Sequence, residues 1–297
     1  MLGELLAIIS SVLIALGVVL NKKLTAEIEA LALQTVRCWA AALFFLIVFF
    51  LMGRGGELIG IPLILMILMI VSMSIGIAIG DTIYIKALSM TDASRIFPVV
   101  TGGQFIPTAI IGYFTGEKIT LYFLVGTVLV IGGASLVTSV QTGVQSKASS
   151  RPPKDKKWVL YCISAGLCWA LSFGIMKVVL KEIDPVLANA FRLPSAAILL
   201  TGLSIGSGRG KNLKIIRYGW RAIGLLTFTG ILSYCFGLLF SLYAMHISGI
   251  TRLAVLTSWT PIFIMLLAAF ILKEKLTIRV GLGALLSCVG TFIVMAF

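Results

Sequence analysis

The sequence predicts an all-α integral membrane protein of ten transmembrane helices, arranged as two inverted five-helix repeats. Three observations carry that expectation. Hydrophobic residues make up 59% of the 297 and charged residues only 12%, with a mean hydropathy of +1.10, far more apolar surface than one soluble core can hide. The apolar residues fall into ten runs of the length that spans a bilayer, about 20 residues at 1.5 Å each. The chain also repeats itself in register, the signature that fixes an architecture before any single residue is weighed.

The runs are 3–21, 30–52, 60–86, 94–115 and 119–139, then 158–180, 185–205, 219–245, 250–272 and 277–296. None shows the alternation of a strand, and in lipid each backbone group must be bonded within its own segment, so helices follow rather than a barrel. The first run could pass for a signal peptide. Its counterpart at Trp158 to Leu180 argues for retention, since cleavage would leave a duplicated pair incomplete. The second run carries Arg37 and the third carries Asp81. The fourth is opened by Arg95 and interrupted by Thr101, Gly102, Gly103 and Gln104, and the fifth has Gly126 and Gly133. Gln141 to Lys157, rich in Ser, Pro and Lys, reads as a linker between the units 1–140 and 158–297. The second unit returns Arg192 in its second run, Ser233 and Gly237 in its third, Arg252 in its fourth, and Gly283 and Gly290 in its fifth.

At an offset of 157, Gly80 meets Gly237, Ala87 meets Ala244, Arg95 meets Arg252, Glu117 meets Glu274, Gly126 meets Gly283 and Gly133 meets Gly290. The front of each half repeats at an offset of 155: Ala15 meets Ala170, Lys22 meets Lys177 and Arg37 meets Arg192. Five is odd, so the second copy enters the membrane from the opposite side, which is a transporter architecture. Lys and Arg concentrate in the linker, around 209–221 and around 273–279, all on one face with Lys22 and Lys23. By the positive-inside rule that face is cytoplasmic, in the plasma membrane, with both termini outside.

The net charge of +13 therefore sits in membrane loops rather than along one nucleic-acid-binding face. The five cysteines all lie in apolar runs without C-x-x-C spacing, suggesting neither disulfides nor zinc, and one histidine, His246, cannot build a metal cluster. The sequence predicts no cofactor, metal or nucleic-acid partner.

Ala87-Leu88 leading to Gly116-Glu117-Lys118, Ala244-Met245 leading to Thr260-Pro261 and Lys273-Glu274-Lys275, and the Arg37 and Arg192 positions together resemble the drug/metabolite transporter superfamily, specifically its EamA-type permeases. The likeness covers nearly the whole chain. It departs at Gln104, where the second half has Pro261. The resemblance implies export or exchange of small metabolites such as amino acids, or of drug-like compounds, through a cavity lined by helices one, three, four, six, eight and nine. The glycines seven apart in the fifth helix of each half resemble the dimer-contact helix of small multidrug resistance proteins. That implies packing between the halves or a homodimer face, leaving monomer and homodimer both open.

Ionisable residues within a membrane are costly and so face a cavity or a partner. Arg37, Arg95, Arg192 and Arg252 read either as interfacial anchors or as attractors of substrate carboxylates and phosphates. Asp81 is sharper, because its counterpart is Leu238 and the duplication does not require an acid there; it is read as a proton-coupling carboxylate or as one side of an ion pair. Tyr84 lies one turn beyond Asp81, while Trp169, Ser172, Tyr234, Thr257 and Trp259 fall in the walls of half two. Thr101 to Gln104 is the most polar mid-helix stretch and is a candidate cavity lining; the alternative is a packing kink. Gly76 with Gly80, and Ser233 with Gly237, form small-x-x-x-small pairs that let helices approach closely.

The function these features predict is a secondary transporter working by alternating access, an exporter with proton coupling through Asp81 as one reading. An organic-anion or sugar-phosphate exchanger is the alternative raised by the excess of intramembrane Arg over acid. An integral-membrane transferase would need clustered His, Asp or Glu at a membrane face, which scattered acids and one His do not supply.

Overall fold

The computed structural model describes residues 2–21, 24, 28–90, 93–117, 120–139, 157–207, 219–257, 259–260, 262–264, 266–267 and 278–296. Among these the chain is helical, with no strand. The helices are α1 (Leu2–Asn21), α2 (Ala30–Leu51), α3 (Leu63–Met73, continuing through Ser74–Asp81 to Thr82–Met90), α4 (Ala93–Phe114) and α5 (Leu121–Ser139). The second half follows with α6 (Lys157–Val179), α7 (Pro185–Gly206), α8 (Gly219–Gly230, continuing through Ile231–Gly237 to Leu238–Ser248), α9 (Ile250–Thr257) and α10 (Ile278–Ala296). The order is that of the ten apolar runs. Six stretches, in α1, α2, α3, α6, α7 and α8, are long and apolar enough to cross a membrane among the described residues, with shorter apolar helices in α5, α9 and α10. The linker falls almost wholly outside the described residues.

Local chemistry sets the ends. Asp184 caps α7 by accepting from Val186 N at 2.8 Å and Leu187 N at 3.3 Å, with Pro185 opening the helix. Gly249, at φ +89°, turns α8 directly into α9, a backbone state that side chains disfavour.

The two halves pack by exchange. Helix α2 lies against α7 and α5 against α10; α4 packs on α6 as α9 packs on α1, and α3 on α6 as α8 packs on α1. The repeat is visible in single contacts. A β-carbon on Gly17 would run into Ser233 Oγ, and one on Gly76 would lie 2.5 Å from Ser172 Oγ. Gly17 is the register partner of Ser172, and Gly76 that of Ser233, so one small-to-small contact is built twice. Likewise Gly80 would meet Cys168 and Trp169 at 3.1 Å, and Gly237 would meet Ile14 at 3.1 Å and Leu13 at 3.7 Å. In the fifth helices, a β-carbon on Gly290 would lie 2.5 Å from Gly126 O. These glycines thus pack the halves of one chain together. Gly133 and Gly283 are buried in the same two helices.

Polar crosslinks show that the repeats run in opposite senses. Glu117, which follows α4, bonds the first residues of α9, the repeat counterpart of α4. Arg54, which follows α2, pairs at 2.5 Å with Asp184, which precedes α7, the counterpart of α2. The end of one helix meeting the beginning of its copy makes each pair antiparallel, which is the inverted relation expected of an odd-numbered unit.

Helix α4 approaches α6 backbone to backbone: a β-carbon on Gly166 would sit 2.7 Å from Gln104 N and 2.8 Å from Gly103 C. Backbone cannot step aside as a side chain can. Gly166→Val is therefore expected to lower stability by about 3 kcal/mol, read as a fall in melting temperature of the purified protein; an unchanged value would show that α4 is not held against α6 in this way.

Candidate functional site

Helices α3 and α8 each contain one π-helical stretch, Ser74–Asp81 and Ile231–Gly237, at corresponding positions of the two halves. A π-turn widens the helix and re-aims its side chains, and such turns collect at functional sites. Here they flank a cavity of ≈ 200 Å³ between the halves. Its apolar walls come from Ile14 and Val18 of α1, Ile77 and Ile85 of α3, Phe173 of α6 and Leu238 of α8.

The polar floor is centred on Asp81. Its Oδ1 accepts from Trp169 Nε1 at 2.7 Å. Its Oδ2 accepts from Gln34 Nε2 at 2.8 Å and from the Tyr234 hydroxyl at 3.0 Å. Gln34 Nε2 also donates to the Tyr234 oxygen at 2.5 Å. Four helices, α2, α3, α6 and α8, thus converge on one carboxylate, two from each half. The Arg37 guanidinium lies over the Tyr234 ring, 4.8 Å from its centroid, and its charge reaches Asp81. Tyr84 stacks at a tilt on Trp169, with centroids 5.3 Å apart.

Arg192, the repeat counterpart of Arg37, has no such company. It is 2% exposed and lines the same cavity. Its Nη2 donates to Ser72 Oγ at 3.3 Å, while among the described residues its Nε and Nη1 have no hydrogen-bond partner. Ser72 is already engaged, its hydroxyl 2.9 Å from that of Ser172. Sequence position made the two arginines equivalent; the absence of an acid at Leu238 makes them different.

Of the residues singled out from sequence, Gly76, Asp81, Tyr84, Gln104, Trp169, Ser172, Ser233, Tyr234 and Thr257 come together at this cavity, with Arg37 and Arg192. Others go elsewhere. A β-carbon on Gly103 would lie 3.0 Å from the Ile163 backbone, so this glycine packs against α6. Trp259 stacks on Phe263, with centroids 5.7 Å apart, beside the small apolar cluster of Phe123, Val130 and Val255. Arg252 pairs with Glu4 at 3.3 Å near the start of α1. Arg95, Thr101 and Gly102 lie on the α4 backbone with side chains outside the described residues. Sequence reasoning missed helices α2 and α7 as cavity walls, and missed Gln34. The signal was present: Gln34 matches Asn189 at the offset of 155, three residues before each arginine.

One end of the bundle is clasped. Glu117 Oε1 accepts from Lys177 Nζ and from Ile250 N at 2.8 Å; its Oε2 accepts from Thr251 N at 3.0 Å and from the Thr251 hydroxyl. Lys177 also donates to Thr115 Oγ1 at 2.6 Å. Glu117 thereby caps α9 from the other half. Burial alone would raise its carboxyl, but the bonds from Lys177, Thr251 and Ile250 hold it below its ordinary value. The Arg54 to Asp184 pair ties the same end, and there too burial is outweighed by the Arg54 and backbone bonds, which hold Asp184 low.

The model described as the EamA-like transporter family matches this chain twice, over residues 1–139 and 156–296. A Bacillus subtilis (strain 168) protein bearing the name uncharacterized transporter YoaV is 23% identical over 211 residues, 69% of this chain and 67% of its own length. A solved crystal structure, 14% identical, superposes with a TM-score of 0.73 over 98% of this chain and 95% of its own, a likeness of fold.

Proposed function

The chain belongs to the EamA-like transporter family and is a multi-pass membrane permease for small molecules, and from that premise we propose a secondary transporter that works by alternating access. The observation that carries this reading is the cavity itself, shared by two inverted repeats and clasped at one end by Glu117. Two similar units facing opposite ways can exchange conformations, which turns a hollow open to one side into one open to the other. The sequence repeat gives Lys177, Thr251 and Glu117 the counterparts Lys22, Ser94 and Glu274 at the opposite end; the side chains of those three lie outside the described residues.

With the linker side cytoplasmic by its charge, the clasped end faces outward in the plasma membrane, and substrate loads from within. The direction is then export. The cargo is a small metabolite and not a drug-sized compound, because ≈ 200 Å³ lies below the range of about 300–1,000 Å³ typical for drug-sized ligands. Asp81, joined to both halves, is the coupling group for protons. A second reading, exchange of organic anions, is favoured by Arg192, whose Nε and Nη1 have no partner among the described residues.

Two measurements test the proposal. Proteoliposomes preloaded with labelled amino acids and organic acids should release at least one of them without nucleotide; release of none from a library of such metabolites overturns the transporter mechanism. A membrane-impermeant thiol reagent applied to intact cells should label a cysteine replacing Phe297 and spare Ser149→Cys. The reverse pattern overturns the orientation, and with it the direction of export.

A further inference from the structure

We infer that Arg192 is an anion-binding group for cargo, and that the substrate is a singly charged organic acid, a monocarboxylate with a compact apolar body. This rests on the transporter reading above and names its substrate class. The guanidinium is buried and lines the cavity, yet among the described residues only its Nη2 is engaged. Its Nε carries one N–H and its Nη1 carries two, and neither atom has a hydrogen-bond partner among the described residues. A buried cation left without a counter-charge is among the most costly features a fold can keep. A ligand that supplies the missing acceptors explains its retention.

The charge count fixes the valence. Arg37, Asp81 and Arg192 are the ionisable Arg, Lys, Asp and Glu side chains on the described cavity wall. Arg37 and Asp81 carry opposite formal charges that cancel, so one positive charge remains on the wall, and Arg192 is the arginine with no carboxylate near it among the described residues. One carboxylate neutralises it, and its two oxygens match the fork of a guanidinium. A phosphate dianion would leave one negative charge unbalanced in the bundle. A cationic head is disfavoured for the converse reason: both Asp81 oxygens are already taken by Trp169, Gln34 and Tyr234. The rest of the wall, including Ile14, Val18, Ile77, Phe173 and Leu238, is apolar and suits an aliphatic or aromatic body.

The test uses matched pairs of about the cavity's size, an acid and its uncharged primary amide: 4-methylpentanoate with 4-methylpentanamide, and phenylacetate with phenylacetamide. Binding is measured by calorimetry on the full chain in nanodiscs. The wild-type protein should prefer the acid of at least one pair by about tenfold or more, the discrimination expected when a buried charged partner is left unpaired. Inorganic phosphate, at about pH 8 where the dianion predominates, should not compete. Arg192→Gln should bind acid and amide alike, and Arg192→Lys should keep part of the preference, since it keeps the charge and loses the fork. Arg192→Lys also carries the test if Arg192→Gln does not fold, because a preference undiminished in Arg192→Lys would show that the guanidinium fork does not hold the acid. Equal binding of acid and amide in every pair, binding of neither, acid preference surviving in Arg192→Gln, or displacement by phosphate each overturns the inference. Failure of the transport mechanism looks different: acid preference would persist in nanodiscs while no acid crossed a proteoliposome membrane.

Discussion

Asp81→Asn is expected to abolish the response of flux to an imposed pH gradient and to slow substrate flux by about tenfold or more, since a hydrogen bond to a charged group contributes about 1.5–3 kcal/mol. The reason is the company the carboxylate keeps. Trp169 Nε1 and Gln34 Nε2 can only donate, and with the Tyr234 hydroxyl they fill both oxygens. An asparagine must turn its own donor toward one of them. Gln34 can adapt by rotating its amide, because its Oε1 is buried without a partner among the described residues, so the variant should fold. What no rearrangement restores is the charge opposite Arg37 or a group that can carry a proton between the halves. Uptake in proteoliposomes, with and without the gradient, reads the effect directly. Gradient-driven uptake that matches wild type would remove Asp81 from the coupling role while leaving its structural bonds unquestioned.

Much of this arrangement was legible in the chain, and the reason is the duplication. Register alone paired Gly76 with Ser233 and Gly80 with Gly237, and the structure makes both pairs equivalent contacts between the halves. The asymmetry at Asp81 and Leu238 was equally plain: Arg37 lies over the Tyr234 ring, whose hydroxyl bonds Asp81, while Arg192 donates only to Ser72 among the described residues. Other features had no sequence signal. Gly103 and Gln104 were read together as lining, but neighbours on a helix point about 100° apart, so only Gln104 reaches the cavity. Arg252 finds Glu4 across the whole length of the chain, a partnership that no local spacing announces. Gln34 was overlooked because a neutral amide in an apolar run reads as an isolated polar residue; its match to Asn189 marked it, and its bond to Asp81 shows why it is there.

The Glu117 clasp makes the second strong prediction. Its four bonds join α4 and the turn after it to α6 and α9, so the end it closes cannot open while they stand. Glu117→Gln should raise the reactivity of a cavity thiol, Thr257→Cys, toward an impermeant maleimide supplied from the clasped end by roughly hundredfold. That is about 3 kcal/mol for a half-buried ion pair broken on one side. Gly249→Ala should act in the same direction by a different route, because φ there is +89° and the new β-carbon would lie 2.6 Å from Glu117 Oε1. The sign of the pH dependence follows from the lowered carboxyl value. A depressed folded value means that the clasp contributes fully above the unfolded carboxylate range and is lost only as pH falls through the folded one. The ratio of maleimide rates between the Glu117→Gln and wild-type backgrounds, which cancels the ionisation of the thiol itself, should therefore stay constant from about pH 8 to about pH 5. A ratio that shrinks between those limits, or a reactivity unaltered by Glu117→Gln, would mean that something other than this carboxylate keeps the end shut.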